Sequence, residues 1–206
     1  MKFPMKITTT LLLASAALGT AAFMFACSTN SPAEEDLASL ERSRNIKASA
    51  KAFEAAFTVL QHPRCVNCHP AGDRPLQGDE GSVHTMNVQR GEDGKGLTAG
   101  KCASCHQSTN LPGEHMPPGT PNWHLPSKAM PLVFEHKNAG ELCRQLKDQK
   151  RNGGKTIEQV FAHLSSDPLV LWGWSPGEGR TAPRMSHAEF VRQMRTWIDK
   201  GCGCPE

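Results

Sequence analysis

Two short segments hold the residues best placed for chemistry: Cys65-Val66-Asn67-Cys68-His69 and Cys102-Ala103-Ser104-Cys105-His106. They repeat one Cys-x-x-Cys-His pattern 37 residues apart. Thiols three positions apart lie one turn from each other, which lets both reach the two vinyl groups of a haem as thioethers. The adjacent His then falls under the iron as its proximal ligand. The pattern predicts two covalently attached haem c groups, one on Cys65, Cys68 and His69, the other on Cys102, Cys105 and His106. Two other chemistries use paired cysteines. A zinc site would want its pairs closer than the 33 residues between Cys68 and Cys102, and gives no reason for a His after each pair. A redox-active Cys-x-x-Cys expects a single copy between a strand and a helix.

The sixth iron ligand must come from elsewhere. Seven His lie outside the motifs, at 62, 84, 115, 124, 136, 163 and 187. His84 follows His69 by 15 residues and His124 follows His106 by 18, which reads as a loose internal duplication. Bis-His coordination, with His84 and His124 as distal ligands, is therefore the expectation. The rivals are Met86, close to His84, and the pairs Met116-Pro117 and Met130-Pro131, whose form resembles the methionine loop of single-haem cytochromes c. The choice matters because a thioether ligand raises the reduction potential relative to two imidazoles.

Elements must hold these residues in place, and the motif region offers few of its own. Between His62 and Pro131, 18 of 70 residues are Gly or Pro, and neither helical nor alternating periodicity survives. A loop of that length needs an organiser, and a haem is a large apolar body that would serve as its core. Helix signals flank it. Ser31-Pro32-Ala33-Glu34 forms a capping box, after which Ile46, Ala50, Phe53, Phe57 and Leu60 recur at helical spacing up to His62-Pro63. Asn138 with Glu141, Thr156 with Gln159 and Ser186 with Glu189 open three more helices, the last lined by Phe190, Val191, Met194, Trp197 and Ile198 and stopped at Gly201. The expected fold is mostly α, a loop-rich cytochrome c-like dihaem domain with flanking helices. Residues 1–26 form a signal peptide, 27–61 a tether and N-terminal helix, 62–137 the dihaem region, and 138–206 a helical part of the same domain.

Charge and compartment narrow the function. The chain has 206 residues with 23 Lys and Arg against 20 Asp and Glu; two of the Lys lie in the first 26 residues, leaving 21 against 20 in the rest. So even a balance gives no footprint for nucleic acid. Lys2 and Lys6 precede the uncharged stretch from Ile7 to Ala26, which reads as an export signal. Met24-Phe25-Ala26-Cys27 resembles a bacterial lipoprotein cleavage site, so lipidated Cys27 is expected to anchor the protein on the periplasmic side of a Gram-negative membrane. An uncleaved anchor and a soluble secreted form are the alternatives.

Three cysteines remain: Cys143, Cys202 and Cys204. Outside the cytoplasm they predict one disulfide and one free thiol. Cys202 and Cys204 are too close to pair without strain, so the bridge is expected from Cys143 to the C-terminal tail, with Cys204 favoured and Cys202 left exposed and oxidisable. A thiolate ligand to iron is the alternative use. Trp172-Gly173-Trp174 falls in a loop-like stretch and Trp123 adjoins His124, placing aromatic rings for packing on a cofactor or for docking. The basic run from Arg144 through Lys147, Lys150 and Arg151 to Lys155 reads as a solvated helix face.

These residues resemble c-type cytochromes in general and, more closely, the small exported dihaem proteins known as isoquinoline 1-oxidoreductase subunits. The likeness covers most of the mature chain and rests on His62-Pro63-Arg64-Cys65 through His69-Pro70-Ala71-Gly72-Asp73, on His84 with Asn87-Val88-Gln89-Arg90-Gly91, on Trp123-His124-Leu125, on Glu141 to Asp148 and on Asp167 to Trp174. The resemblance implies an ending of Gly201 with Cys204-Pro205, which supports Cys204 as the structural thiol. It also implies a molybdenum hydroxylase as electron donor, although this chain offers neither a molybdopterin site nor iron–sulfur ligation. The expected function is electron transfer from such a dehydrogenase to a respiratory cytochrome or oxidase, without catalysis by this chain. A haem peroxidase or a small-ligand sensor, each with one open iron site, is the competing reading.

Overall fold

Ser31 opens the first helix as the capping box requires: its hydroxyl accepts from the Glu34 N–H, and the Glu34 carboxylate accepts from the Ser31 N–H at 2.8 Å. This is seen in a computed structural model, which describes residues 31–206. The expected export segment and the lipidation site at Cys27 lie outside the described residues. Helix α1 spans Pro32–Leu60, and its buried face is Ser49, Ala52, Phe53, Ala56, Val59 and Leu60. The stripe is rotated from the expected one. Ile46 stays 41% exposed and Phe57 only half-buried, because the neighbouring helix covers the side carrying the small residues Ser49, Ala52 and Ala56.

The remaining helices are α2 (Pro63–Val66), α3 (Ala139–Lys147), α4 (Ile157–Ser166), α5 (Pro168–Trp172) and α6 (His187–Asp199). Asn138 and Thr156 cap α3 and α4 with the full reciprocal box. Ser186 caps α6, but the Glu189 carboxylate turns forward to Arg192 and Gln193 instead of back to the cap. Helix α5 carries Trp172, in a stretch that reads as a loop; Asp167 caps it, with Pro168 at its first position. Between α2 and α3 the only regular pieces are two antiparallel hairpins of two-residue strands, β1 (Leu76–Gln77) with β2 (Ser82–Val83) and β3 (Gly96–Leu97) with β4 (Gly100–Lys101), and a 3-10 turn at Cys102–Ser104. The protein is thus mostly helical, with little sheet and long loops. Among the described residues, no helix is long and apolar enough to cross a membrane.

The core lies where α6 packs on the second half of α1, with α3 and α4 closing it. Phe53 and Trp197 are fully buried, their ring centroids 5.1 Å apart. The C-terminal tail is bound into this core. Cys143 and Cys204 form a disulfide, the Ser49 hydroxyl donates to the Trp197 carbonyl at 2.6 Å and accepts from the Gly203 N–H at 2.8 Å, and the Trp197 indole donates to the Gly203 carbonyl at 3.0 Å. A Cβ at Gly203 would drive into the Ile46 backbone. Cys202 is free but half-buried against the core rather than exposed, and burial pushes its thiol upward. Trp197→Ala removes the largest buried side chain together with its hydrogen bond, and is expected to cost about 3–5 kcal/mol, read as a fall in the denaturant midpoint.

Candidate cofactor site

The two Cys-x-x-Cys-His segments are built on one local plan. In the first, the His62 ring caps α2 by accepting from the Arg64 N–H, Cys65 sits on the helix, and the turn continues through Cys68 to His69. His69 Nδ1 meets the Leu132 carbonyl at 2.8 Å, and its ring stacks on Phe134 at 4.0 Å and 9°. A carbonyl only accepts, so Nδ1 carries the proton and Nε2 keeps its lone pair. In the second, β4 leads into the Cys102–Ser104 turn. His106 Nδ1 meets the Pro118 carbonyl at 2.7 Å, and its ring stacks on Trp123 at 4.5 Å and 3°. Each His is therefore fixed in tautomer and orientation with one bare nitrogen, the arrangement that second-shell partners impose on metal-ligating imidazoles. Burial holds both rings neutral: it is the chief cause that lowers His69 to about 4, against the opposing Leu132 bond, and it lowers His106 as well.

The surroundings of the two segments differ. Cys65, Cys68 and His69 open into a cavity of about 440 Å³ walled by Leu132, Phe134, Val160, Leu164, Trp174 and Phe190. That volume lies within the roughly 300–1,000 Å³ of organic cofactor sites. The two thiols are partly accessible, yet protein surrounds the space they reach, and this burial pushes Cys65 up to about 12 and Cys68 up to about 11. Activated redox cysteines show the reverse, a depressed thiol pKa. Cys102 is buried but Cys105 is exposed, so the second segment lies nearer the surface. Among the described residues no three His, Cys, Asp or Glu side chains converge as a closed metal site would need.

Two buried arginines organise the region; both fall in the stretches that carry the family resemblance, but neither is marked for this role by the sequence. Arg90 is wholly buried; its Nη1 donates to the Pro126 and Pro131 carbonyls at 2.8 and 3.4 Å, its Nη2 to the Gly72 carbonyl at 2.9 Å, and its Nε lies 3.6 Å from Asp73. One guanidinium thus ties the loop after the first motif to the loop after the second. Arg64 donates through Nη2 to the Gly78 carbonyl at 2.7 Å and to Asp79 at 2.6 Å, and borders the cavity. The Nε atoms of both arginines are buried without a hydrogen-bond partner. A largely apolar chamber with two neutral thiols and one bare imidazole nitrogen has the donor set that a covalently attached haem would use. Arg90→Met would leave three backbone carbonyls without their donor, at about 1 kcal/mol each or more, and is expected to lower the unfolding midpoint by several degrees.

The two distal candidates take different surroundings. His84 lies beside His106, ring centroids 6.2 Å apart, whereas His124 borders the cavity of the first motif together with Met130 and His163. Arg90 ties together the loops that carry them. Met86 is 82% exposed and Met116 is 42% exposed. The tryptophans link the segments: Trp123 meets Trp172 edge-on at 4.9 Å, and Arg64 lies over the Trp172 ring at 5.9 Å. Comparison of the chain with known protein families, curated proteins and solved structures yields no match.

Proposed function

We propose that this chain is an exported dihaem c-type cytochrome, built on a loop-rich cytochrome c-like domain, that relays single electrons between a dehydrogenase and a respiratory acceptor. The observation that carries the reading is the duplicated proximal geometry: two Cys-x-x-Cys-His segments, each with its His stacked on an aromatic ring, Nδ1 bound to a backbone carbonyl and Nε2 bare. Cys65, Cys68, Cys102 and Cys105 would hold the two groups as thioethers, each thiol adding its S–H across one vinyl double bond without loss of atoms or change of total electrons. Bound there, haem iron would supply one-electron exchange between its ferric and ferrous states.

The chain's own residues tune that exchange. Val160, Leu164, Trp174 and Phe190 line the first centre with apolar surface, which would set its polarity. The exposed Cys105 marks the second centre as the one partners would meet. The donor is a molybdenum hydroxylase-type dehydrogenase, as the family resemblance implies, and the acceptor a cytochrome or oxidase; Cys27 lipidation would hold the protein to the periplasmic face.

Expression of the full chain with a cytochrome c maturation system, followed by intact mass and near-infrared magnetic circular dichroism, tests this reading. Two haem masses and two six-coordinate spectra are expected. A high-spin centre that binds cyanide or carbon monoxide would move the peroxidase or sensor ahead, and no added haem mass would end the cytochrome reading and return zinc to consideration.

A further inference from the structure

We propose that His84 completes the second centre: the imidazoles of His84 and His106 clamp one metal between them, so that the loop of the first motif closes the site opened by the second. The inference rests on the dihaem reading and deepens it. Both rings hold the chain through the same atom. His84 Nδ1 meets the Thr85 carbonyl at 2.9 Å and His106 Nδ1 meets the Pro118 carbonyl at 2.7 Å, leaving both Nε2 atoms bare. The ring centroids lie 6.2 Å apart with planes at 62°. A metal bonded to one nitrogen of each ring at about 2.0 Å, with each ring centre roughly 1.2 Å behind its nitrogen, would set the centroids ~6.3 Å apart. The observed spacing matches that of two imidazoles on one iron, and is also within the roughly 4.5–7 Å of an edge-on ring pair, so spectroscopy of the matured protein decides between them.

His84 is held there by the first motif. It follows directly on the β1–β2 hairpin, its N–H donates to the Pro75 carbonyl at 2.9 Å, and its carbonyl accepts from Arg74. The hairpin is bound to the first Cys-x-x-Cys-His segment: Leu76 N–H donates to the Asn67 carbonyl at 3.0 Å, and the Asn67 and Arg64 side chains donate to the Gly78 carbonyl. Asn67 lies between the two cysteines of the first motif and Arg64 just before them. The residues that build one centre thus deliver the ligand to the other.

The test uses the matured full-length protein. His84→Ala in the two-haem chain is expected to turn one haem high-spin, with imidazole added to solution restoring the low-spin spectrum. The wild-type second centre should show the highly anisotropic low-spin resonance that ligand planes twisted well away from parallel produce. Cys102→Ala with Cys105→Ala leaves only the first haem, and adding His84→Ala to that chain should change nothing. If that remaining haem instead turns high-spin, His84 belongs to the first centre and the proposal fails while the dihaem reading stands. Should the Cys102/Cys105 variant not fold, proton NMR of the reduced two-haem protein gives the same answer, since the ring protons of His84 and His106 must show Overhauser contacts to one shared macrocycle. Contacts of His84 to the macrocycle of His69, or to none, would overturn the assignment. Absence of haem mass would instead defeat the reading beneath it.

Discussion

Full-length chain carrying Cys65→Ala and Cys68→Ala, matured beside the wild type, is expected to lose one haem by mass and most of its cooperative unfolding transition. The reason is volume. The first centre would fill a cavity of about 440 Å³ whose walls include Leu60, Leu146, Val160, Leu164 and Phe190, drawn from α1, α3, α4 and α6. At about 24 cal/mol for each Å³, a fully enclosed void of that size would cost ~10 kcal/mol, and the solvent-open, partly polar share of this pocket costs less. A domain's whole stability is only about 5–15 kcal/mol. The cavity is continuous with the main core, so its loss should loosen the helices as well as the loop. Thermal unfolding followed by far-ultraviolet circular dichroism, with limited proteolysis across residues 62–137, measures it. A sharp transition within a few degrees of wild type, in a chain shown by mass to hold one haem fewer, would mean that the cavity closes on its own. The converse pair, Cys102→Ala with Cys105→Ala, should be the milder change, because Cys105 is already exposed.

The second large effect concerns the disulfide between Cys143 and Cys204. The bridge spans a sequence separation of 61 and fixes the tail beneath α6. Closing a loop of that length removes about 4 kcal/mol of disorder entropy from the unfolded chain. Cys143→Ala with Cys204→Ala should therefore lower the melting temperature by about 10 °C. Both residues are changed together because a single unpaired thiol could mispair with the four motif cysteines during export. Cys202→Ala is the control: it lies two positions from Cys204 but has no covalent role, so a shift within about 2 °C is expected. A Cys202→Ala shift as large as that of the pair would place the tail's stability in packing rather than in the bridge.

Much of the architecture could be read from local chemistry. The capping residues Ser31, Asn138, Thr156 and Ser186 sit where the helices begin, since a cap is satisfied by atoms within three residues and needs no tertiary partner. Helix α5 escaped because five residues leave too short a window for periodicity, although Asp167-Pro168 carried its start signal. The face of α1 was misjudged for a different reason. Ser49 is buried by virtue of its bonds to Trp197 and Gly203, far along the chain, and no apolar pattern announces a satisfied hydroxyl. Likewise Arg90 and Arg64 look like surface residues in sequence; their burial depends on backbone carbonyls that only the folded loops present.

The sequence by itself determined the two thiol pairs, the His that follows each, the helices that flank them and the one disulfide, with Cys204 favoured over Cys202. All of these are set by neighbours within a few positions, or by how few cysteines remain to pair. Only the tertiary structure decided which rings support His69 and His106, which arginines lie beneath the loops, and which side chains surround His84 and His124. Those relations join residues tens of positions apart through a segment without periodicity. There, spacing along the chain loses its meaning, because buried hydrogen bonds to backbone carbonyls, rather than helical or strand repeat, fix where each side chain arrives.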